Sequence, residues 1–173
     1  MESKFTMTAT APQFRRPDPE NLPDFTFWEV KVQYKNESKD EIVLCPFVYI
    51  KVFDAANKKV PHDAYLGAGF AAEDHMDRTE KRFLVIPAGK TGDVLVNLGQ
   101  NDMGHDFNGW DFKQPGVYKI ELSYQFSRKT FMANSKQFFF SDAIAQKAKQ
   151  PERLWNRAIE TNRTVELKLE VKK

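Results

Sequence analysis

Alternation of apolar and polar residues with a period of two is the feature that most limits how this chain can fold. In residues 117–126 every second position is large and apolar, at Tyr118, Ile120, Leu122 and Tyr124. Residues 163–172 repeat the pattern with Val165, Leu167, Leu169 and Val171. Successive side chains of a strand point to opposite faces of a sheet. Both segments therefore predict strands with one buried and one solvated face, as in antiparallel sheets.

The same criteria predict further strands and one short helix. Strands are expected at residues 28–35, 41–53, 81–86 and 93–98, and in a segment that ends at Phe138-Phe139-Phe140. Pro46 predicts a bulge or a local break within its strand, because proline cannot donate to a ladder. The alanines and lysines of residues 142–150 predict a short helix before the last strand. About seven short strands separated by turn signals favour an all-β sandwich.

Proline dominates the beginning of the chain. The first 24 residues hold four of the nine prolines, at Pro12, Pro17, Pro19 and Pro23. Proline fixes φ and removes a backbone donor, so residues 1–24 are predicted to form an extended arm. Residues 25–173 then form the folded domain, which is expected to stay folded when the arm is deleted.

Composition excludes several classes of protein. A chain of 173 residues favours one domain, and 13% aromatic residues are too many for a disordered chain. Apolar runs such as residues 42–50 are too short to span a membrane. A formal net charge of +2 gives no general reason to bind nucleic acid.

The sequence is compatible with more than one cellular compartment. The first residues lack the apolar core of a secretory signal, which leaves a cytoplasmic protein or an extracytoplasmic one whose signal was removed. Cys45 is the one cysteine, so no intramolecular disulfide can form. Its apolar neighbours predict a small buried core residue.

The histidines lie in two long loops, residues 54–80 and 99–115. They are His62, His75 and His105, and acids such as Asp106 lie beside them. Imidazole and carboxylate groups together can bind a divalent metal ion, which makes the three histidines candidate ligands. No spacing matches a metal motif, so no cofactor is predicted and solvated loop residues are the simpler interpretation. A metal-dependent protein or an enzyme remains an alternative.

Aromatic residues outside the strands are candidate contacts for a partner. Trp110 and Phe112 lie in the second long loop, and Trp155 precedes the last strand. Exposed aromatics can anchor a protein interface or stack on a sugar, and the alternative is that they fold back to cap the core edge. The predicted binding residues are His75, His105, Asp106, Trp110, Phe112 and Trp155.

Two short segments resemble bacterial immunoglobulin-like domains. Ile86-Pro87-Ala88-Gly89-Lys90-Thr91 is similar to a turn that precedes the last hairpin of those domains, and Gly89-Lys90-Thr91 is interpreted as a β-turn rather than a phosphate loop. Pro115-Gly116-Val117-Tyr118 resembles the start of the following strand. The resemblance implies an immunoglobulin-like antiparallel β-sandwich with Tyr118 at the tyrosine corner. Ile120 stands where antibody domains have a cysteine, which excludes the disulfide-bonded branch.

Loop lengths lead to a functional prediction. Connections in such a sandwich alternate between its two ends, so the long ones at residues 54–80, 99–115 and 141–162 are expected to share one end. The chain is predicted to be a non-enzymatic module that binds another protein through this end. A carbohydrate-binding module and a proteinase-inhibitor-like protein are further alternatives.

Overall fold

The computed structural model describes residues 4–15, 27–45, 48–63, 83–98, 109–110, 112, 114–130 and 152–172. Most of these residues lie in antiparallel strands, which confirms the all-β prediction. The strands are β1 (Phe5–Ala9), β2 (Gln13–Arg15), β3 (Phe27–Asn36), β4 (Ile42–Leu44), β5 (Val48–Phe53), β6 (His62–Asp63), β7 (Leu84–Ile86), β8 (Thr91–Asn97), β9 (Gly109–Trp110), β10 (Gly116–Phe126) and β11 (Thr161–Val171). A short helix, α1 (Leu154–Arg157), precedes β11.

The first sheet is organised around β3. Strands β1 and β2 pair along one side of β3, and β8 pairs along the other side. Alternation in β3 follows the sequence pattern, because Val30, Val32 and Tyr34 are fully buried. Lys31 and Gln33 face outward, where both contact Asp93 of β8. This face carries these polar side chains and the exposed Leu95, and the other face forms part of the core.

Residues 4–15 correct the prediction of an N-terminal arm. Strand β1 pairs with β3 in the register Phe5↔Asn36 to Ala9↔Val32. Phe5 is 1% exposed and belongs to the hydrophobic core. The extended, unpacked arm is therefore wrong for these residues, because a period-two pair of apolar side chains, Phe5 and Met7, is buried by sheet pairing.

The second sheet has the order β11-β10-β5. Its inward face contributes Val52, Ile120, Leu122 and Leu169 to the same core as the first sheet. Residues directly opposite each other share a face, so Lys119 and Lys168 both point outward. Burial of a single apolar face explains the alternation that the sequence displays in β10 and β11.

The predicted strand at residues 41–53 is divided into β4 and β5. Strand β4 pairs with β7, whereas β5 joins the second sheet beside β10. Pro46 lies outside the described residues, between two strands that belong to different sheets. The predicted strand ending at Phe138-Phe139-Phe140 and the helix at residues 142–150 also lie outside the described residues, and residues 128–130 are helical.

The second sheet has two ends that are used as reference below. Its "loop end" is where β5 finishes at Phe53 and β10 begins at Gly116, and its "turn end" is where β10 finishes at Phe126. Tyr118 lies near the loop end, and its hydroxyl donates a hydrogen bond of 2.8 Å to the carbonyl oxygen of Gln114. This contact to backbone is the one expected of a tyrosine corner.

Replacing Tyr118 by phenylalanine tests the corner contact. Tyr118→Phe keeps the buried ring but removes the hydroxyl, so we expect the free energy of unfolding to fall by about 1 kcal/mol. Tyr49 is 53% exposed on the neighbouring strand, and Tyr49→Phe is the matched control. Denaturant titration should separate the two variants. Equal stability would show that the Gln114 contact contributes nothing.

The turn between β7 and β8 confirms the β-turn interpretation of Gly89-Lys90-Thr91. The amide of Lys90 donates to the carbonyl oxygen of Pro87 at 3.1 Å, and Gly89 has φ 66°. A Cβ at Gly89 would meet nothing within 4 Å, so only the backbone conformation opposes a side chain.

We therefore expect Gly89→Ala to lower the free energy of unfolding by about 1 kcal/mol. Gly89→Asn should cost less, because asparagine tolerates the left-handed region better than alanine. Thermal unfolding of both variants measures the difference. Alanine matching glycine would contradict the positive φ.

Candidate functional site

The two long loops come together in the structure. His62 and Asp63 in β6 pair with Trp110 and Gly109 in β9, so a short ladder joins the first loop to the second. The amide of Trp110 also donates to the carbonyl oxygen of Leu98 at 3.2 Å. The chain continues from β9 into the start of β10, which places the ladder at the loop end. For the described residues, the expected meeting of these two connections is confirmed.

The third long connection enters β11 at the opposite end. β10 pairs with β11 from Gly116↔Val171 to Phe126↔Thr161, so the chain between them leaves from the turn end. There the Tyr124 hydroxyl donates to the carbonyl oxygen of Ile159 at 2.7 Å. The expectation that all three long connections share one end is therefore wrong. It required the last strand to begin at the loop end, whereas β11 begins at Thr161, opposite Phe126.

The aromatic binding candidates are core residues in the structure. Trp110 is 7% exposed, and Phe112 and Trp155 are fully buried. The ring of Phe112 packs edge-on against Tyr118 with centroids 5.2 Å apart. Trp155 lies in α1 at the turn end, away from the other two. Their predicted contact with a partner required an exposed ring, and none of the three rings is exposed.

Most of the polar candidates fall outside the described residues. His75, His105 and Asp106 are among these, and His62 is described through its backbone pairing in β6. Within the part of the chain that the structure describes, no group of three or more potential ligands could hold a metal ion.

An open groove at the loop end is the candidate site. It has a volume of about 470 Å³ and lies between the turn after β5 and the outward faces of β10 and β11. It is lined by Asp54, Ala55, Asn57, Val117, Lys119, Glu166, Leu167 and Lys168. Its volume falls within the range of about 300–1,000 Å³ that ligand pockets occupy.

The turn that forms one wall of the groove is held by its own hydrogen bonds. A side-chain oxygen of Asp54 accepts from the amides of Ala56 and Lys58, both at 2.9 Å. Asn57 has φ 59°, a left-handed conformation that asparagine tolerates better than most residues. The amide of Val60 donates to the carbonyl oxygen of Val52 at 2.8 Å, which extends the turn into a hairpin with β5.

The floor of the groove carries charges of both signs. The Lys119 ammonium lies 3.0 Å from a carboxylate oxygen of Glu121 and 4.4 Å from the centroid of the Phe53 ring. Glu166 and Lys168 follow on β11, and neither makes an ion pair with any residue that the structure describes. One lysine is therefore fixed in place, and two charged side chains beside it remain available.

Sequence reasoning missed the groove but identified the residues that face it as polar. Alternation in β10 and β11 places Lys119, Glu166 and Lys168 on the solvated face. What the pattern does not supply is the register between the strands, which sets Lys119 opposite Lys168. Asp54 and Asn57 are residue types that favour turns, but in the sequence analysis they were included in one long loop at residues 54–80 and no separate turn was predicted there.

No protein-family model matches the chain, and no curated protein matches it. Among the described residues, no helix is long and apolar enough to cross a membrane.

Proposed function

We propose that this chain is a non-enzymatic binding module that contacts a partner protein through the loop end of its second sheet. The observation that carries the proposal is the ladder between β6 and β9, which joins the two long connections at the end where the groove opens. Loops held on a rigid sheet are the usual location of binding residues.

The composition of the groove supports recognition of a protein. Val117 is 48% exposed and supplies apolar surface, while the charged side chains around it resemble the polar rim of an interface. Because Trp110 and Phe112 are buried, the stacking surface that a carbohydrate-binding module would use is not available at these positions. This observation favours a protein partner over a sugar.

An immunoglobulin-like sandwich is part of the proposal. Two antiparallel sheets share one hydrophobic core, and Tyr118 makes the backbone contact typical of the tyrosine corner. Such a scaffold holds its loops in place with many inter-strand hydrogen bonds. The partner would then meet a surface that requires little ordering on binding.

Photo-crosslinking at two matched alanines tests the proposal. Ala55 lies in the groove and Ala88 lies in the tight turn between β7 and β8, and both are exposed. Each is replaced separately by p-benzoylphenylalanine, and the purified proteins are irradiated in extract from the source organism. We expect a discrete protein adduct at Ala55 and none at Ala88.

Two results would contradict the proposal. The first is labelling of the same proteins at both positions, which would show that the chain binds them non-specifically. The second is the absence of any protein adduct at Ala55 while the purified variant remains folded by circular dichroism.

A further inference from the structure

Like charges face each other across the β10–β11 pair at the groove. The register sets Lys119 directly opposite Lys168, and Glu121 directly opposite Glu166. Directly opposed side chains of an antiparallel pair lie about 5 Å apart at Cβ, and like charges in this position are destabilising. The stabilising order would exchange Glu166 and Lys168, giving two pairs of opposite charge without changing the composition of the strand.

The two strands differ in how their charges are satisfied. On β10, Lys119 and Glu121 form an ion pair with each other at 3.0 Å. On β11, Glu166 and Lys168 make no ion pair within the described residues, although both line the groove. Glu166 and Lys168 therefore stand two residues apart on the same face of β11, and both charges are available to a ligand in the groove.

We infer that the groove takes an extended polypeptide segment of the partner that carries one acidic and one basic side chain two residues apart. The acidic side chain would meet Lys119 and Lys168, and the basic side chain would meet Glu166. This inference rests on the proposed function, in which a partner protein binds at the loop end, and it adds the chemistry of the segment that the partner would present.

Strand geometry supplies the spacing. Residues two apart on one face of a strand are separated by about 6.8 Å, in β11 and in any extended peptide laid along it. A segment with its charges two residues apart therefore matches Glu166 and Lys168 in register. Val117 and Ala55 border the groove and give the segment apolar contact beside the charges.

Three synthetic peptides test the inference by NMR. The probe is acetyl-Thr-Glu-Thr-Lys-Thr-amide, and the controls replace its lysine by glutamate or its glutamate by lysine. Titration into the ¹⁵N-labelled full chain follows the amide shifts of residues 54–57, 117–121 and 166–168. We expect the probe to bind about threefold to fivefold more tightly than either control, the ratio that one exposed ion pair gives.

The double variant Glu166→Lys with Lys168→Glu is the matched change in the protein. It keeps net charge and composition, turns both like-charge pairs into opposite-charge pairs, and should raise Tm by about 2 °C. We expect it to lose the preference for the probe, because each charge is then satisfied within the sheet.

The outcomes separate this inference from the proposed function. Equal affinities for the three peptides, shifts that do not localise to the groove, or an unchanged preference in the double variant would overturn the inference, even if the adduct at Ala55 forms. Selective probe binding that disappears in the double variant would support it. If no adduct formed in the extract, that selectivity would still stand and the proposed function alone would fail.

Discussion

Phe5→Ala is expected to lower the free energy of unfolding by about 3–5 kcal/mol, the loss typical of a large buried aromatic side chain. Phe5 is 1% exposed. Its ring packs edge-on against Tyr34 and Tyr124, with centroids 6.1 and 5.5 Å away. The Arg163 guanidinium lies 4.8 Å from the same ring. Alanine would leave a cavity lined by side chains from both sheets.

The two rings that pack against Phe5 belong to deeply buried phenols. Burial raises the pKa of the Tyr34 phenol and of the Tyr124 phenol far above the ordinary value, because a phenolate would lose its hydration in this interior. The loss of Phe5 would therefore remove packing from two rings that stay neutral.

Phe14→Ala is the matched control for Phe5→Ala. Phe14 lies in the same N-terminal segment but is 48% exposed, with its ring against Trp28. We expect its loss to cost less than about 1.5 kcal/mol, since much of its surface is already in water. Urea unfolding followed by tryptophan fluorescence measures both variants. Equal, small losses would mean that β1 does not contribute to the core.

Asn36→Ala is expected to lower the free energy of unfolding by about 3 kcal/mol. Asn36 is fully buried, and its side-chain nitrogen donates to the carbonyl oxygens of Asp40, Ile86 and Pro87 at 2.8, 2.9 and 3.1 Å. Its oxygen accepts from the Ser38 amide at 2.9 Å. Each buried group left without a partner costs about 1–3 kcal/mol.

Gln33→Ala provides the comparison for Asn36→Ala. Gln33 is an amide on the same strand that faces outward, where it donates to Asp93 at 3.0 Å. Exposed hydrogen bonds exchange readily with water, so we expect a loss below about 1 kcal/mol. Thermal unfolding of the two variants gives the contrast. If Asn36→Ala unfolded at the temperature of Gln33→Ala, the buried network would have no energetic role.

The strands that the sequence predicted best are those with one buried face. β10 and β11 alternate between more and less exposed side chains over most of their eleven residues, and the structure begins them within two residues of the predicted starts. Residues 41–53 are apolar on both faces, so periodicity could not show that the segment divides between two sheets.

The N-terminal strand was missed in the sequence analysis because the prolines that follow it were a stronger signal than its two alternating apolar residues. Prolines at 12, 17, 19 and 23 predicted an extended arm, and the extended conformation is what a strand requires. Phe5 and Met7 carried the period-two signal in only two positions. Sheet pairing with β3, which joins residues far apart in sequence, decides that they are buried.

The groove could not be predicted from local sequence patterns, because these do not give the register between strands. Lys119 and Lys168 become neighbours only through the register of β10 and β11. The buried position of Trp110 likewise follows from the ladder between β6 and β9, which two loops form together. An aromatic residue in a loop has the same sequence signature whether it faces a partner or the core.

Competition for the Ala55 adduct is the most direct test of a partner-binding loop end. The p-benzoylphenylalanine variant at Ala55 is irradiated in extract with a hundredfold excess of unlabelled chain as competitor. We predict that wild-type chain removes the adduct and that the Glu166→Lys, Lys168→Glu chain, equally folded, must be added at a severalfold higher concentration to remove the same share of it. An adduct that persists under wild-type competitor would contradict the account, because labelling would then not depend on a saturable surface at the groove.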